Sequence, residues 1–148
     1  MTGTPGGLLS PDGRSSSGGK PAIASAFHGS AYHGRNGWYI ATGNVPSVPW
    51  FPRPLVSRAL VVQADQLGTG LAQTIVAMIT SNMARARHPS RVVVRIKNKS
   101  GSGSGLLMDS VIMTDNLATI HDSEIDQVIG AFTGLGELDA ALRATLAL

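Results

Sequence analysis

Between residues 59 and 148 the hydrophobic positions come in short runs separated by polar turns, the pattern of a small β-rich unit. The clearest run is Thr74 to Ile79, TIVAMI, which predicts a buried strand ending at Thr80. A polar, basic turn leads to Pro89, and from Arg91 to Lys97 the chain alternates. Val92, Val94 and Ile96 fall on one face, and Arg91, Val93, Arg95 and Lys97 on the other. Upstream, ALVVQAD (Ala59 to Asp65) predicts a strand closed by the turn LGTG. Downstream, Asp109 to Met113 is a short strand that Asp115 to Ile120 continues past a kink or bulge. SEIDQVIGAF stays open: Ile125, Val128, Ile129 and Phe132 have helical spacing, yet DQVIGAF alone suits a strand. Leu138, Ala141, Leu142, Thr145 and Leu146 form one helical stripe from about Glu137 to Leu148, with Gly134 and Gly136 as breakers before it. Several short strands and one closing helix predict a mainly β fold with α, a small curved barrel or half-barrel with the helix packed on one side.

The first part of the chain reads differently. Residues 1 to 20 hold twelve Gly, Ser or Pro, too little apolar surface to offset the entropy of ordering, so a floppy tail is expected. The one strand-like run before residue 55 is Gly37 to Thr42, GWYIAT, followed by a Pro-rich loop with exposed aromatic candidates at Trp50 and Phe51, read as an extended connection whose Trp50 is expected to pack onto the barrel, over the alternative of a binding site. NKSGSGSG, Asn98 to Gly105, reads as a flexible linker, since it lacks the G-K-[ST] ending of a nucleotide phosphate loop.

Composition narrows the chemistry. A chain of 148 residues supports one domain with one core. With no cysteine, disulfides, thiolate metal sites and thiol nucleophiles are excluded, and no run approaches the roughly 18 apolar residues of a membrane span. A cytoplasmic protein without membrane attachment is expected. The formal charge is only +3, but it is unevenly spread: six of the twelve Lys and Arg lie between Arg85 and Lys99 without an acid among them, while seven of the nine acids lie between Asp109 and Asp139. An acid-free basic run is the footprint of a phosphate-binding surface. It adjoins the corner where Thr80, Ser81 and Asn82 present a hydroxyl and further donors and acceptors. Thr80 could instead only terminate its strand by bonding its own backbone. Arg85, Arg87, Arg91 and Arg95 are read as contacts to a nucleic-acid backbone, over the alternative of a solvated face, with His88 as a turn residue that could also touch it. His121 beside Asp122 reads as a turn cap, with no second set of ligands at metal-binding spacing near it.

From Ala59 to the C-terminus the words ALVVQAD, TIVAMITSNMARARHPSRV, DSVIMTDNLATI and LDAALRATLAL resemble the PemK/MazF family of toxins from type II toxin–antitoxin systems. The resemblance implies an SH3-like β-barrel of that type with a C-terminal helix, spanning residues 35–148 after a divergent tail at 1–34, and a homodimer. It implies a metal-independent, cofactor-free endoribonuclease that cleaves single-stranded RNA at short sequence motifs. A cognate antitoxin would inhibit it in the RNA groove, and operator DNA would be reached only through the antitoxin complex. In that family the ribose 2′-hydroxyl attacks the adjacent phosphate, and a threonine and an arginine are the usual catalytic pair. Thr80 matches the threonine within MITSN. The family reads R-P-x-L-V-V where this chain has Ser57-Arg58-Ala59-Leu60-Val61-Val62, so Arg58 stands in the proline slot and Ser57 in the arginine slot. A one-residue slip turns a side chain to the other face of a strand. Arg58 remains the catalytic candidate, restored in direction by a bulge, with Arg53 in reserve.

The family's first strand, R-G-x-V-W, and its G-S-E-Q loop have only a faint echo in RNGWYIATG, Arg35 to Gly43. The expectation is therefore a missing first strand, an exposed sheet edge, a frameshifted or misassigned start, and weak cleavage. Two alternatives follow from the resemblance: a non-enzymatic poison of DNA gyrase on the same fold, which would not need the Thr80 corner, and an inactive remnant that only dimerises and binds antitoxin.

Overall fold

The computed structural model describes residues 33–34, 37–44, 56–64 and 67–148. Among the described residues seven strands are formed: β1 (His33–Gly34), β2 (Gly37–Asn44), β3 (Val56–Val61), β4 (Gln73–Thr80), β5 (Arg91–Val94), β6 (Ser110–His121) and β7 (Ile125–Phe132). One helix, α1 (Leu135–Leu146), follows. All pairings are antiparallel, and the order across the sheet is β7-β2-β3-β4-β6-β5, with β1 paired to the start of β2. The architecture is mainly β with a C-terminal helix, as the hydrophobic pattern predicts.

Each strand owes its place to what lies on its two faces. In β3 and β4 the alternation puts Ala59, Val61, Val76 and Met78 into one buried cluster with Val111 and Met113 of β6. Leu60, Ala77 and Ile112 point the other way, into a second cluster with Val92 and Val94 of β5, Phe132, and Leu138 and Ala141 of α1. Apolar residues at consecutive positions of β4 are thus explained, because both faces of this strand are covered. Burying each large aliphatic side chain contributes about 1.5–3 kcal/mol. α1 covers the second cluster and is tied to β6 by polar contacts as well: Thr114 Oγ1 lies 2.7 Å from Thr145 Oγ1 and within hydrogen-bonding reach of the carbonyls of Ser90 and Ala141.

Several expectations are corrected. The strand expected at Gly37–Thr42 forms as β2, and it is no bare edge: it pairs with β3 from Ile40↔Leu60 to Asn44↔Val56 and, on its other side, with β7 from Trp38↔Phe132 to Gly43↔Ile125. The expected bare edge is therefore covered by a strand from the other end of the chain. Period-2 pairing on β2 and not helical packing decides the ambiguous SEIDQVIGAF, whose first residues form a short 3-10 turn, Asp122–Glu124. The strand expected at 59–65 begins earlier and ends at Val61. β5 stops at Val94 because the Ile96 N–H donates to Asp109 Oδ1 (3.0 Å) instead of continuing a ladder. α1 starts at Leu135, so Gly136 lies in its first turn and is no breaker. β6 is one strand of twelve residues whose bulge is where expected: its partners on β4 jump from Ala77↔Leu117 to Met78↔Met113. Trp50, Phe51, Arg53 and the tail up to residue 32 lie outside the described residues.

The segment read as a flexible linker is a folded seam. β5 and β7 share no ladder, and residues 98–105 lie between them: the Ala131 N–H donates to Gly103 O (2.9 Å) and the Thr133 N–H to Ser100 O (3.1 Å). Gly101 and Ser104 are buried. The glycines are there for contact. A Cβ on Gly130 would collide with the backbone of Gly103 and Ser104, and Gly105 has φ +72° with the Ile129 carbonyl where a Cβ would stand.

Candidate active site

β4 delivers Thr80 to the rim of the sheet, where its ladder to β6 ends at the pair Thr80↔Val111. The chain leaves the sheet there because Thr80 Oγ1 accepts the Asn82 N–H (3.2 Å), a local turn that competes with the strand. That bond uses a lone pair of the hydroxyl and leaves its proton for an incoming acceptor. Asn82 then caps a 3-10 turn, Met83–Ala86, its Oδ1 accepting from the Ala84 N–H (3.1 Å). Met83 and Ala86 pack on the cluster beneath, while Ser81, Asn82, Arg85 and Arg87 are exposed. An open cleft of about 780 Å³ adjoins this corner, lined among others by Ser81, Met83, Arg95, Lys97, Leu107 and Met108.

His88 closes the turn. Its Nδ1 accepts the Ser90 N–H (3.2 Å) and lies 2.6 Å from Ser90 Oγ, so the ring caps the backbone just before β5. His121 caps Ser123 in the same way (Nδ1 to N 3.2 Å, to Oγ 2.7 Å). Among the described residues no three His, Asp or Glu stand close enough together to hold a metal ion.

The basic run is acid-free along the chain but not in space. Arg91 Nε donates to Asp115 Oδ1 (2.8 Å) and NH2 to Asp115 Oδ2 (2.6 Å), and Arg95 NH1 donates to Asp109 Oδ2 (2.9 Å). Both acids come from β6 or the residue before it, brought across by the β5–β6 pairing. Arg95 holds the Asp109 carboxyl below its ordinary range, helped by the Ile96 N–H, and Arg91 does the same for Asp115. Arg91 and Arg95, expected as contacts to a nucleic-acid backbone, are thus each already paired with an acid from the β6 side. Arg85, Arg87, Lys97 and Lys99 have no ion-pair partner within 4.0 Å among the described residues.

The expected partnership of Arg58 with Thr80 is not formed. Arg58 pairs with Ile79 on β4 and Thr42 on β2, and directly paired residues share a face. That face carries Leu60, Ile79 and α1, whereas Thr80 is in phase with Val76 and Met78 on the opposite face. The β3–β4 register runs without a bulge from Arg58↔Ile79 to Val61↔Val76. Carried one step further, it sets Ser57 and not Arg58 across from Thr80. Sequence reasoning named Ser57 only as the occupant of a slot. The pairing of Asp109 and Asp115 with the basic strand had no signal in the chain, being the product of a contact between residues 14 and 24 positions apart.

Residues 55–145 match the profile of the PemK-like, MazF-like toxins of type II toxin–antitoxin systems. The chain belongs to this family. The match begins beside β3 and runs through α1, so the Thr80 corner, the basic turn and the seam all lie within the PemK/MazF-like part. A search of the curated proteins finds no match. Solved structures share the fold. A mycobacterial endoribonuclease in complex with its cognate antitoxin superposes with a TM-score of 0.58 at 16% identity, covering 76% of this chain and 95% of that one. The Mycobacterium tuberculosis toxin MazF-mt6 gives 0.57 at 20% identity, with 74% and 97% covered. MazF from Deinococcus radiodurans gives 0.50 at 19% identity, with 76% and 96% covered. No helix among the described residues is long and apolar enough to cross a membrane.

Proposed function

We propose that this PemK/MazF-family chain is a toxin endoribonuclease that cleaves single-stranded RNA at short sequence motifs, without a metal, at the Thr80 corner. The observation that carries the reading is a hydroxyl on the rim of β4 followed by a turn that exposes Arg85 and Arg87 without acidic partners. In the reaction the ribose 2′-oxygen attacks phosphorus and the bond to the 5′-oxygen breaks, leaving a cyclic phosphate and a 5′-hydroxyl. The Thr80 O–H donates to a non-bridging oxygen of the phosphorane, where a fixed donor is worth most. Ser81, Asn82, Arg85 and Arg87 hold the flanking backbone, and Arg91, Arg95 and His88 shape the surface around them. The setting is the cytoplasm, the working unit a homodimer, and the inhibitor a cognate antitoxin in the same groove. The antitoxin complex is also the form that reaches operator DNA. A mycobacterial structural neighbour described as bound to its antitoxin supports that partner.

One observation favours a second reading, the inactive remnant: no arginine faces Thr80 from β3, since Arg58 lies on the other face. The two readings part on one experiment. A panel of single-stranded RNAs is incubated with the chain, with Thr80→Val and with Ser57→Arg. Cleavage by the parent that falls roughly 10- to 1000-fold in folded Thr80→Val, as for loss of an oxyanion donor, supports the nuclease. A rise in Ser57→Arg of about 100-fold, the scale of correcting a misplaced group, shows that a cation at position 57 completes the site. Absence of cleavage by the parent and by Ser57→Arg alike would leave the remnant standing.

A further inference from the structure

Arg91 is the first residue of β5, yet its guanidinium makes three bonds to two other elements. Two go to Asp115 in the bulge of β6, at 2.8 and 2.6 Å, and the third runs from NH1 to the main-chain carbonyl of Arg85 (3.3 Å). Its side chain is only 15% exposed. The planar fork of an arginine can hold a carboxylate with one edge and still donate elsewhere, which a lysine cannot do. Arg85 sits in the four-residue 3-10 turn Met83–Ala86. That turn is short and has few bonds of its own: the Asn82 side chain caps its start, and the Arg85 N–H donates to Asn82 O (3.1 Å). Toward its end, Ala86 O accepts the His88 N–H (3.1 Å) and His88 O the Arg91 N–H (2.9 Å), and the Arg91 fork adds a side-chain tie from the turn itself to the sheet. The fork is itself anchored, because β5 and β6 are paired from Arg91↔Met113 to Val94↔Ser110 and Asp115 follows two residues beyond Met113.

We propose that Arg91 and Asp115 are positioning residues: together they hold the 3-10 turn against the sheet so that Arg85 and Arg87 are presented, already ordered, to the RNA backbone. Arg91 acts through Arg85 and does not itself contact RNA. The bulge of β6 is what makes this possible, since residues 114–116 have no partner on β4 and Asp115 is released to reach across β5. Unordered arginines lose rotamer freedom when they bind, and a prearranged turn removes that cost beforehand. This inference rests on the RNA-binding reading above.

The test is a binding cycle on the full chain. The probe is a fluorescein-labelled single-stranded RNA of mixed sequence, read by anisotropy. Arg91→Met is expected to raise Kd about 10-fold, the scale of ordering two long side chains anew. Asp115→Asn has the same effect, and the double variant is no worse than either alone. Asp115→Glu recovers part of the loss. In an Arg85→Ala/Arg87→Ala background, Arg91→Met changes Kd by less than about 2-fold, because the residues it positions are gone. Full additivity in that background would make Arg91 a direct phosphate contact and overturn the proposal, as would an unchanged Kd in Arg91→Met. Hydrogen exchange without RNA gives a second, independent readout. Residues 82–88 are expected to exchange faster in Arg91→Met at unchanged exchange of β4, and equal exchange in the parent and the variant also overturns it. If the parent binds no RNA, the RNA reading fails, and the exchange experiment alone still decides whether the clasp orders the turn.

Discussion

At the scale of single residues, the free and the paired cations should behave differently. Arg85 and Arg87 are exposed with no acidic partner among the described residues, while Arg95 already donates to Asp109. Each phosphate contact on a single strand contributes roughly 0.7 to the slope of log K against log salt. Neutralising Arg85 and Arg87 together should therefore flatten the slope for RNA of any sequence by about 1.4, whereas Arg95→Gln should leave it nearly unchanged. Equal slopes for all three proteins would make the turn only a solvated face. Thr80 was legible from the chain because an aliphatic run visibly ends there, and the caps made by His88 and His121 followed from their place beside turn residues. The direction of Arg58 and the neutralisation of Arg91 were not. Both depend on registers between distant strands, and alternation within one strand says which residues share a face but not what faces them.

At the scale of elements, the central strands and the helix could be read because both faces of β3 and β4 and one face of α1 are apolar. The seam could not, since a Gly/Ser-rich segment looks the same whether its glycines serve freedom or close approach. Two substitutions separate these uses. Gly130→Ala forces a methyl group into the backbone of Gly103 and Ser104, and overpacking of this kind costs about 1–3 kcal/mol, lowering Tm by roughly 2–12 °C in a chain of this size. Gly136→Ala meets nothing within 4 Å and lies in the first turn of α1, so it should stabilise by about 0.4–1 kcal/mol. Thermal unfolding of the two variants beside the parent checks both signs, and a neutral Gly130→Ala would mean that the seam is loose.

At the scale of the whole molecule, two arginine–aspartate pairs join β5 to β6, and their protonation should show in stability. The carboxyls of Asp109 and Asp115 are held below the ordinary aspartate value of 3.8, first by the bonds from Arg95 and Arg91. A lowered folded-state value means that the unfolded chain takes up protons more readily. The pairs therefore contribute fully above about pH 4 and lose their contribution as pH falls through the lower folded values. Tm should drop as pH falls from about 4 toward 2, and the drop should be shallower in Asp109→Asn/Asp115→Asn. An identical pH profile in that variant would show that other groups govern acid unfolding. The arrangement of the strands also bears on how the protein comes to exist. β2 lies between β3 and β7, and the pair Ile40↔Gly130 joins positions 90 residues apart. A chain emerging from the ribosome can pair β2 with β3 early, but β7, the strand that covers its other edge, is made much later. Until translation has passed Phe132 the growing chain carries an open strand edge along β2, so the sheet is completed only after the segment that follows β6 has been made.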